Sequence, residues 1–141
     1  MEIQINLTAV LVATGANFIL SFLWYGLIFG KAWAREMKLD TSVKPTGGQI
    51  AKGLVITFIG NLLMAWVFAH NIAAWSFVPG MKETPVAGNI ISSAVFTWLG
   101  FYLPMDLNVV AWESKSWKLV AINTGSHLAM LFVAAIIIMY M

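Results

Sequence analysis

Four long apolar segments dominate this chain of 141 residues and constrain its fold more than any other feature. They cover residues 7–29, 53–76, 87–112 and 119–141. An α-helix needs about 20 predominantly apolar residues to cross the hydrocarbon core of a bilayer, and each segment meets that length. Only 10% of the residues are charged, against about 25% in soluble domains, so water could not solvate such a surface. The sequence predicts an all-α membrane protein, a bundle of four transmembrane helices that forms a single domain over residues 1–141.

The basic residues indicate how these helices are oriented. Seven of the eight Lys and Arg residues lie in or beside the first and third connections, and only Lys82 lies in the second. Cytoplasmic loops of membrane proteins carry an excess of Lys and Arg. We therefore expect residues 30–52 and 113–118 in the cytoplasm and both termini outside. Because the positive charges flank apolar segments, no nucleic-acid partner is predicted despite the net charge of +2.

The N-terminal residues 1–6 contain Glu2 and no basic residue. A secretory signal peptide begins with a positively charged region and ends at a small-residue cleavage site. Since neither is evident, we expect the first apolar segment to be a permanent span.

The connection after the first span has two interpretations. One is a short interfacial helix over residues 31–40, in which Trp33 and Met37 face lipid while Arg35 and Lys38 reach the headgroups. The other is a solvated linker without regular structure.

Small residues recur at four-residue spacing on the first two predicted helices. In lipid, such residues allow the close approach on which helix packing depends. We expect these faces to meet neighbouring helices of the same chain or of another protomer. The stripe of the second span consists of Gly53, Thr57, Asn61, Ala65, Ala69 and Ala73, and that of the first consists of Ala9, Ala13, Asn17 and Ser21.

The two halves of the sequence also resemble each other weakly. Residues 22–26, FLWYG, in the first span correspond to residues 96–100, FTWLG, in the third. These two spans run in the same direction, so a repeat would consist of two parallel helical hairpins. It predicts a pseudo-twofold axis along the membrane normal. The alternative is a chance match between helices of similar composition.

Asp106 is the one carboxylate well inside a predicted span, and His127 is its natural partner. An ionised carboxylate at mid-span costs about 2.5–3.5 kcal/mol on insertion scales, so we expect it to be protonated, paired or facing water. At 1.5 Å per residue, both side chains lie roughly 9–13 Å from the same interface on adjacent antiparallel helices. Pro104 should kink the helix just before Asp106.

Further polar residues fall at a similar depth and define a candidate site. One interpretation is a protonatable site, in which an Asp and a His bind or shuttle protons within a low-dielectric wall. The other is a hydrogen-bonded network that fixes helix register, as polar residues often do in membrane bundles. The predicted cluster consists of Tyr25, Asn61, Asp106, Asn108, Asn123, Ser126 and His127.

No metal or cofactor is predicted. The chain has no cysteine, which excludes thiolate ligands and disulfides. His70 and His127 differ in depth by about a dozen ångströms, so one metal ion cannot join them. We expect His70 to form a hydrogen bond near the outer interface, beside Asn71 and opposite Asn89.

Motifs in both halves carry a resemblance to a known family. The first half has FLWYG at residues 22–26 and FGKAW at 29–33. The second half has WLGF at 98–101, followed by Asn108, Leu119, Ile122, Gly125, His127 and Leu128. Over nearly its whole length the chain resembles an uncharacterised bacterial family, domain of unknown function 1761. The resemblance implies a four-helix protein of the bacterial inner membrane with no established activity. Leu27 departs from the family pattern, which places a proline soon after the Trp-Tyr pair.

Three functions are compatible with these features. The first is a non-enzymatic membrane protein that acts as a parallel homodimer or larger homo-oligomer and moves protons or a small solute. The second is an accessory subunit in which the polar cluster serves packing. The alternative is a membrane-embedded enzyme, or a lipid, quinone or haem binder, that uses Asp106 and His127. Since no catalytic motif is recognisable, we favour the first two, with the lipid bilayer as partner.

Overall fold

Four helices long and apolar enough to cross a membrane make up most of the fold in a computed structural model, which describes residues 3–141. The described residues contain no β-strand, so the predicted all-α arrangement of four apolar helices is confirmed. Met1 and Glu2, on which part of the N-terminal prediction rests, lie outside the described residues. The elements are α1 (Leu7–Ile28), α2 (Gly30–Glu36), α3 (Gly47–Trp75), α4 (Val86–Glu113) and α5 (Trp117–Tyr140).

Helix α3 begins at Gly47, six residues before the apolar segment 53–76 from which the second span is predicted. A capping box explains the earlier start. The Gln49 amide donates to Thr46 Oγ1 at 3.3 Å, and the Thr46 amide donates to Gln49 Oε1 at 2.8 Å. These reciprocal bonds satisfy amides that otherwise lack acceptors in the first turn, so the helix starts ahead of its apolar run.

Helices α1 and α4 each contain a π-helical segment, at the end of α1 and in the middle of α4. The segments are Leu23–Ile28 in α1 and Trp98–Tyr102 in α4. In each, the closing amide donates to a tryptophan carbonyl five residues earlier, from Phe29 to Trp24 and from Leu103 to Trp98. Wide turns of this kind are rare in helices and occur frequently at functional sites.

Pro104 lies two residues after the end of the wide turn of α4. A proline inside a regular α-helix removes one hydrogen bond and clashes with the carbonyl four residues earlier. The π-helical turn changes that spacing locally. The predicted disturbance at Pro104 therefore takes the form of a π segment that ends four residues before Asp106.

Helices α1 and α5 form the centre of the bundle. Helix α1 packs along both α3 and α5, and α4 packs on α5, whereas α3 and α4 make little contact within residues 3–141. The small side chains of the α1 stripe are buried at Ala9, Ala13 and Asn17, as predicted. The core between the helices consists of Val10, Ala13, Ala65, Phe68, Ala69, Ile90, Ala94, Leu131, Ala134 and Ala135.

The small-residue stripe of α3 is buried only in the second half of the helix. Asn61, Ala65 and Ala69 are buried, whereas Gly53 and Thr57 are exposed. All residues from 47 to 60 are exposed. The first half of this stripe is therefore not covered within one protomer, and the alternative that it meets another protomer stays a prediction. An edge-to-face contact between Phe18 and Phe58, at 6.0 Å, joins this exposed half to α1.

The helix contacts lack the symmetry that a repeat of two hairpins predicts. A twofold axis would make the pairs α1–α5 and α4–α3 equivalent, but only the first pair packs closely. The indoles show the same asymmetry. Trp24 donates to the carbonyl of Ile122, and Trp98 donates to that of Thr124, so both contact α5. The local motif recurs, while the predicted pseudo-twofold arrangement does not.

The connection after α1 begins with a short helix, which ends at Glu36 and not at residue 40. Lys38 follows in a left-handed conformation, with φ of 55°, which ends the helical path. Trp33 and Met37 are both half-buried. The Trp33 ring meets the Tyr25 ring edge-to-face at 5.6 Å, so Trp33 packs partly on α1, and its contact with lipid stays a prediction.

Candidate functional site

Asp106 and His127 form the centre of the candidate site. Asp106 Oδ2 and His127 Nδ1 lie 2.9 Å apart, within the range of a charge-assisted hydrogen bond. The Asp106 side chain is only 10% exposed, whereas 31% of the His127 side chain is accessible. The contact orients the imidazole, because Nδ1 meets the carboxylate while Nε2 points to the opposite side of the ring.

Tyr102 covers one face of the imidazole. The two rings lie 4.8 Å apart with an interplanar angle of 42°. Tyr102 precedes Asp106 by one helical turn, which places both side chains on the same face of α4. The sequence prediction omitted Tyr102, although its spacing from Asp106 was a usable signal.

Three other predicted residues lie beside the pair on α1 and α5. The Tyr25 hydroxyl donates to Asn123 Oδ1 at 3.2 Å, which joins α1 to α5. Ser126 is fully buried next to His127, and its hydroxyl lies 3.7 Å from the sulfur of Met130. Tyr25, Asn123 and Ser126 therefore form a polar layer behind the imidazole.

Asn108 and Asn61 do not join this group, and both predictions are corrected by the structure. Asn108 is exposed, because two residues beyond Asp106 correspond to about 200° around a helix. Asn61 is buried on the side of α3 that packs in the bundle, and its Nδ2 has no hydrogen-bond partner among the described residues. For Asn108, the direction around the helix separates it from the pair, although it lies only two residues along the chain from Asp106.

A cleft between α3 and α4 makes the pair accessible from the side of the bundle. It has a volume of about 430 Å³ and contains both Asp106 and His127. Its walls are mainly apolar, and α5 contributes His127 and Leu131. The apolar lining includes Met64, Val67 and Phe68 of α3 and Phe101 and Met105 of α4. The pair is thus not sealed inside the bundle of one chain.

Two tryptophans hold α5 in position beside this cleft. Trp24 Nε1 donates to the Ile122 carbonyl at 2.9 Å. Trp98 Nε1 donates to the carbonyl and hydroxyl oxygens of Thr124, at 3.0 and 2.8 Å. From the sequence, both tryptophans stand out only as matching positions of the two motifs. That recurrence was the signal of their common role.

His70 lies away from this site. Its Nδ1 is 2.8 Å from the Trp66 carbonyl of the same helix, and its ring meets the Trp66 indole edge-to-face at 5.2 Å. Asn89, the expected neighbour, donates to the carbonyls of Met81 and Thr84. Within residues 3–141, no three His, Asp or Glu side chains come together as metal ligands.

A family model described as a protein of unknown function, DUF1761, matches residues 8–139. The chain belongs to this family. No curated protein and no solved structure matches the chain. Leu27, at which the chain departs from the pattern that the resemblance implies, lies within the π segment Leu23–Ile28. Membership of DUF1761 identifies relatives and assigns no reaction, so the function must be argued from the site.

Proposed function

We propose that this DUF1761 protein is a multi-pass protein of the bacterial inner membrane that couples proton exchange at Asp106 and His127 to movement of a small amphipathic solute. The observation that carries the proposal is the position of the pair in an apolar cleft that opens sideways. A solute dissolved in the membrane can reach the cleft without crossing the bundle. There, its polar group would meet the one acidic side chain buried within the spans.

Competition for one carboxylate provides the coupling. Asp106 is bonded to the His127 imidazole. A solute with a positive charge or a hydrogen-bond donor competes with that imidazole and with a proton for the same oxygens. Electrostatic interactions are stronger in a low-dielectric wall than in water, so the carboxylate cannot hold both partners without cost. Solute binding and proton binding therefore oppose each other, as thermodynamic linkage requires.

We further propose that a parallel homodimer or larger homo-oligomer performs this movement. Four helices leave little room for a path through one protomer, and the first half of α3 is exposed in the single chain. The bias of seven basic residues to one supports a single orientation for all copies. In that orientation, residues 30–52 and 113–118 are cytoplasmic and both termini are outside.

Proton uptake by proteoliposomes tests the proposal. The probe is an imposed gradient of tetraphenylphosphonium, a lipophilic cation, with internal pH followed by a trapped dye. We expect proton uptake with the parent protein, and with Asp106→Asn we expect proton uptake only at the background rate. Asp40→Asn is the matched control, because it removes a carboxylate of the exposed linker and should leave uptake unchanged. Equal uptake by parent and Asp106→Asn, or none by the parent, would refute proton coupling.

The second candidate is a membrane-embedded enzyme or a binder of a lipid, quinone or haem. It is favoured by the aromatic side chains of Phe101 and Tyr102 in the cleft and by the accessible imidazole. An absorption spectrum of the purified protein distinguishes haem, because a bound haem gives visible bands. For a quinone, extraction into organic solvent and chromatography would show a bound head group that His127→Ala no longer retains.

A further inference from the structure

A second cavity, of about 330 Å³, lies at the end of the bundle that carries most of the basic residues. The end of α2 lines one side with Arg35, Glu36 and Lys38. The turn between α4 and α5 lines the other side with Glu113, Lys115 and Ser116. We propose that this cavity, the basic-end cavity, binds the phosphate group of an anionic phospholipid.

A hydrogen bond between its two sides gives the basic-end cavity a fixed shape. The Ser116 hydroxyl donates to Glu36 Oε2 at 2.6 Å, across a separation of 80 residues in the sequence. The same hydroxyl oxygen accepts the Leu119 amide at 3.1 Å and so caps α5. The side chain of Glu36 is only 19% exposed. The connection after α1 is thereby attached to the start of α5.

The charges around the basic-end cavity favour an anion. Three cations, Arg35, Lys38 and Lys115, face two carboxylates, and Glu36 is already bonded to Ser116. Arg35 approaches Glu36 only through Nε, at 3.8 Å, and 70% of its side chain is exposed. Its terminal nitrogens can therefore bind phosphate oxygens in the paired geometry that guanidinium groups favour. The positive end of the α5 dipole adds a favourable field.

Two tryptophans place the basic-end cavity at the level of lipid headgroups. Trp112 and Trp117 flank the α4–α5 turn and are 84% and 68% exposed. Tryptophan side chains concentrate at the interface between hydrocarbon and water, where their amphipathic rings lie among the headgroups. A lipid phosphate at this level is within reach of the cavity, and its acyl chains can lie along the exposed apolar helices.

A lipid titration of the purified full chain in neutral detergent tests this site. The probes are short-chain phosphatidylglycerol and phosphatidylcholine with the same acyl chains, and the measurement is the thermal unfolding midpoint from tryptophan fluorescence. The test variant is the pair Arg35→Gln and Lys115→Gln. The matched control is Lys44→Gln and Lys52→Gln, which removes two charges from the same end but outside the cavity. Circular dichroism checks that each variant is folded.

We expect phosphatidylglycerol, and not phosphatidylcholine, to stabilise the parent protein. The half-saturating concentration of phosphatidylglycerol should rise about tenfold in the cavity pair and less than about twofold in the control pair. A tenfold rise corresponds to a loss of about 1.4 kcal/mol of binding free energy. If the cavity pair does not fold, Lys38→Gln tests the same site. An equal loss in cavity and control pairs, or no preference for phosphatidylglycerol, overturns the proposal.

Inorganic phosphate separates a lipid from a soluble anion. In one outcome, phosphate alone stabilises the parent but not the cavity pair, and phosphatidylglycerol adds nothing. The phosphate site is then supported, but its ligand comes from solution, and the lipid assignment is overturned. Asp106→Asn should bind phosphatidylglycerol like the parent, because Asp106 lies inside the bundle. A negative lipid titration at the basic-end cavity therefore does not bear on the proposed transport role. A negative proton-uptake assay likewise does not bear on lipid binding at this cavity.

Discussion

The first and third spans use the same local motif and continue it differently. The backbone carbonyls of Trp24 and Trp98 each accept a hydrogen bond from the amide that closes a π-helical turn. The indole N–H of each tryptophan donates to a carbonyl of α5. Six residues after the tryptophan, the first half has Gly30 and the second half has Pro104. After Gly30 the chain begins the separate helix α2, whereas after Pro104 it continues in α4 and presents Asp106 to the cleft.

Both halves share the tryptophan anchor, by which we mean the indole hydrogen bond to α5, and they differ in the residue six positions after the tryptophan. At Gly30 the chain returns so close to the Tyr25 carbonyl that a Cβ atom would lie 2.8 Å from the oxygen. At Pro104 there is no amide hydrogen, so the wide turn leaves no donor unpaired there. One anchored motif thus ends a span in the first half and positions an acidic side chain in the second.

The largest expected effect is at Gly30. Gly30→Ala should lower the free energy of unfolding by about 1–3 kcal/mol, because the new methyl group meets a backbone oxygen that cannot move alone. Gly26→Ala and Gly100→Ala are the matched controls, since a Cβ at either position has no atom within 4 Å. They should change stability by less than about 0.5 kcal/mol. Reversible unfolding in mixed detergent micelles measures all three. Equal changes in the free energy of unfolding for all three variants would contradict the close approach of the chain to the Tyr25 carbonyl at Gly30.

The next effect concerns the Trp24 anchor alone. A Cβ at Gly125 would lie 3.2 Å from Cζ2 of the Trp24 indole, so Gly125→Ala should cost about 1 kcal/mol. The smaller ring in Trp24→Phe relieves this contact, and the cost should fall by at least half in the double variant. Trp98→Phe is the control background, in which the cost should persist. Additive effects of Gly125→Ala and Trp24→Phe in the double-mutant cycle would contradict the contact.

A smaller effect compares the two indole hydrogen bonds directly. Trp24→Phe and Trp98→Phe should each lower stability by about 0.6 kcal/mol, the average for hydrogen bonds between membrane helices. Thr124→Val removes the second acceptor of Trp98 and should matter only when Trp98 is present. The same unfolding measurement applies. A loss confined to one tryptophan would show that the two anchors are not equivalent.

The smallest effect is in the linker that only the first half has. The amide and hydroxyl of Ser42 donate to the Asp40 carboxylate and lower the pKa of Asp40 below its ordinary value of 3.8. Ser42→Ala removes the hydroxyl donor and should raise this pKa toward the ordinary value. Because the pKa is lowered, the local stabilisation is present at neutral pH and is lost as the pH falls through it. Carboxyl NMR shifts followed against pH measure the change.

The positions of the helices and the central pair could be predicted from the sequence because both depend on distance along a helix axis. Apolar length determines where a span lies, and equal depth on adjacent antiparallel helices brought Asp106 to His127. The exception was the start of α3, where the capping residues Thr46 and Gln49 extend the helix beyond its apolar run.

What could not be predicted depends on direction around the helices and on which helices are neighbours. Asn108 has the right depth but the wrong direction, and Asn61 packs in the bundle away from the cleft. The weak contact between α3 and α4, which opens the cleft, has no signature in either segment. The π segment of α1 also lacked a sequence signal, since no proline follows it as Pro104 follows that of α4.

Helix α3 is longer than the hydrocarbon core of a bilayer is thick. Its 29 residues extend about 43 Å at 1.5 Å per residue, whereas the hydrocarbon core measures about 30 Å. A helix with such an excess tilts or extends its end into the headgroups. Helix α3 packs on α1 and α5 but makes little contact with α4, so a change of its tilt on the side of the cleft would break few contacts. In the membrane setting that we propose, the thickness of the bilayer would therefore help to determine how widely the cleft at Asp106 opens.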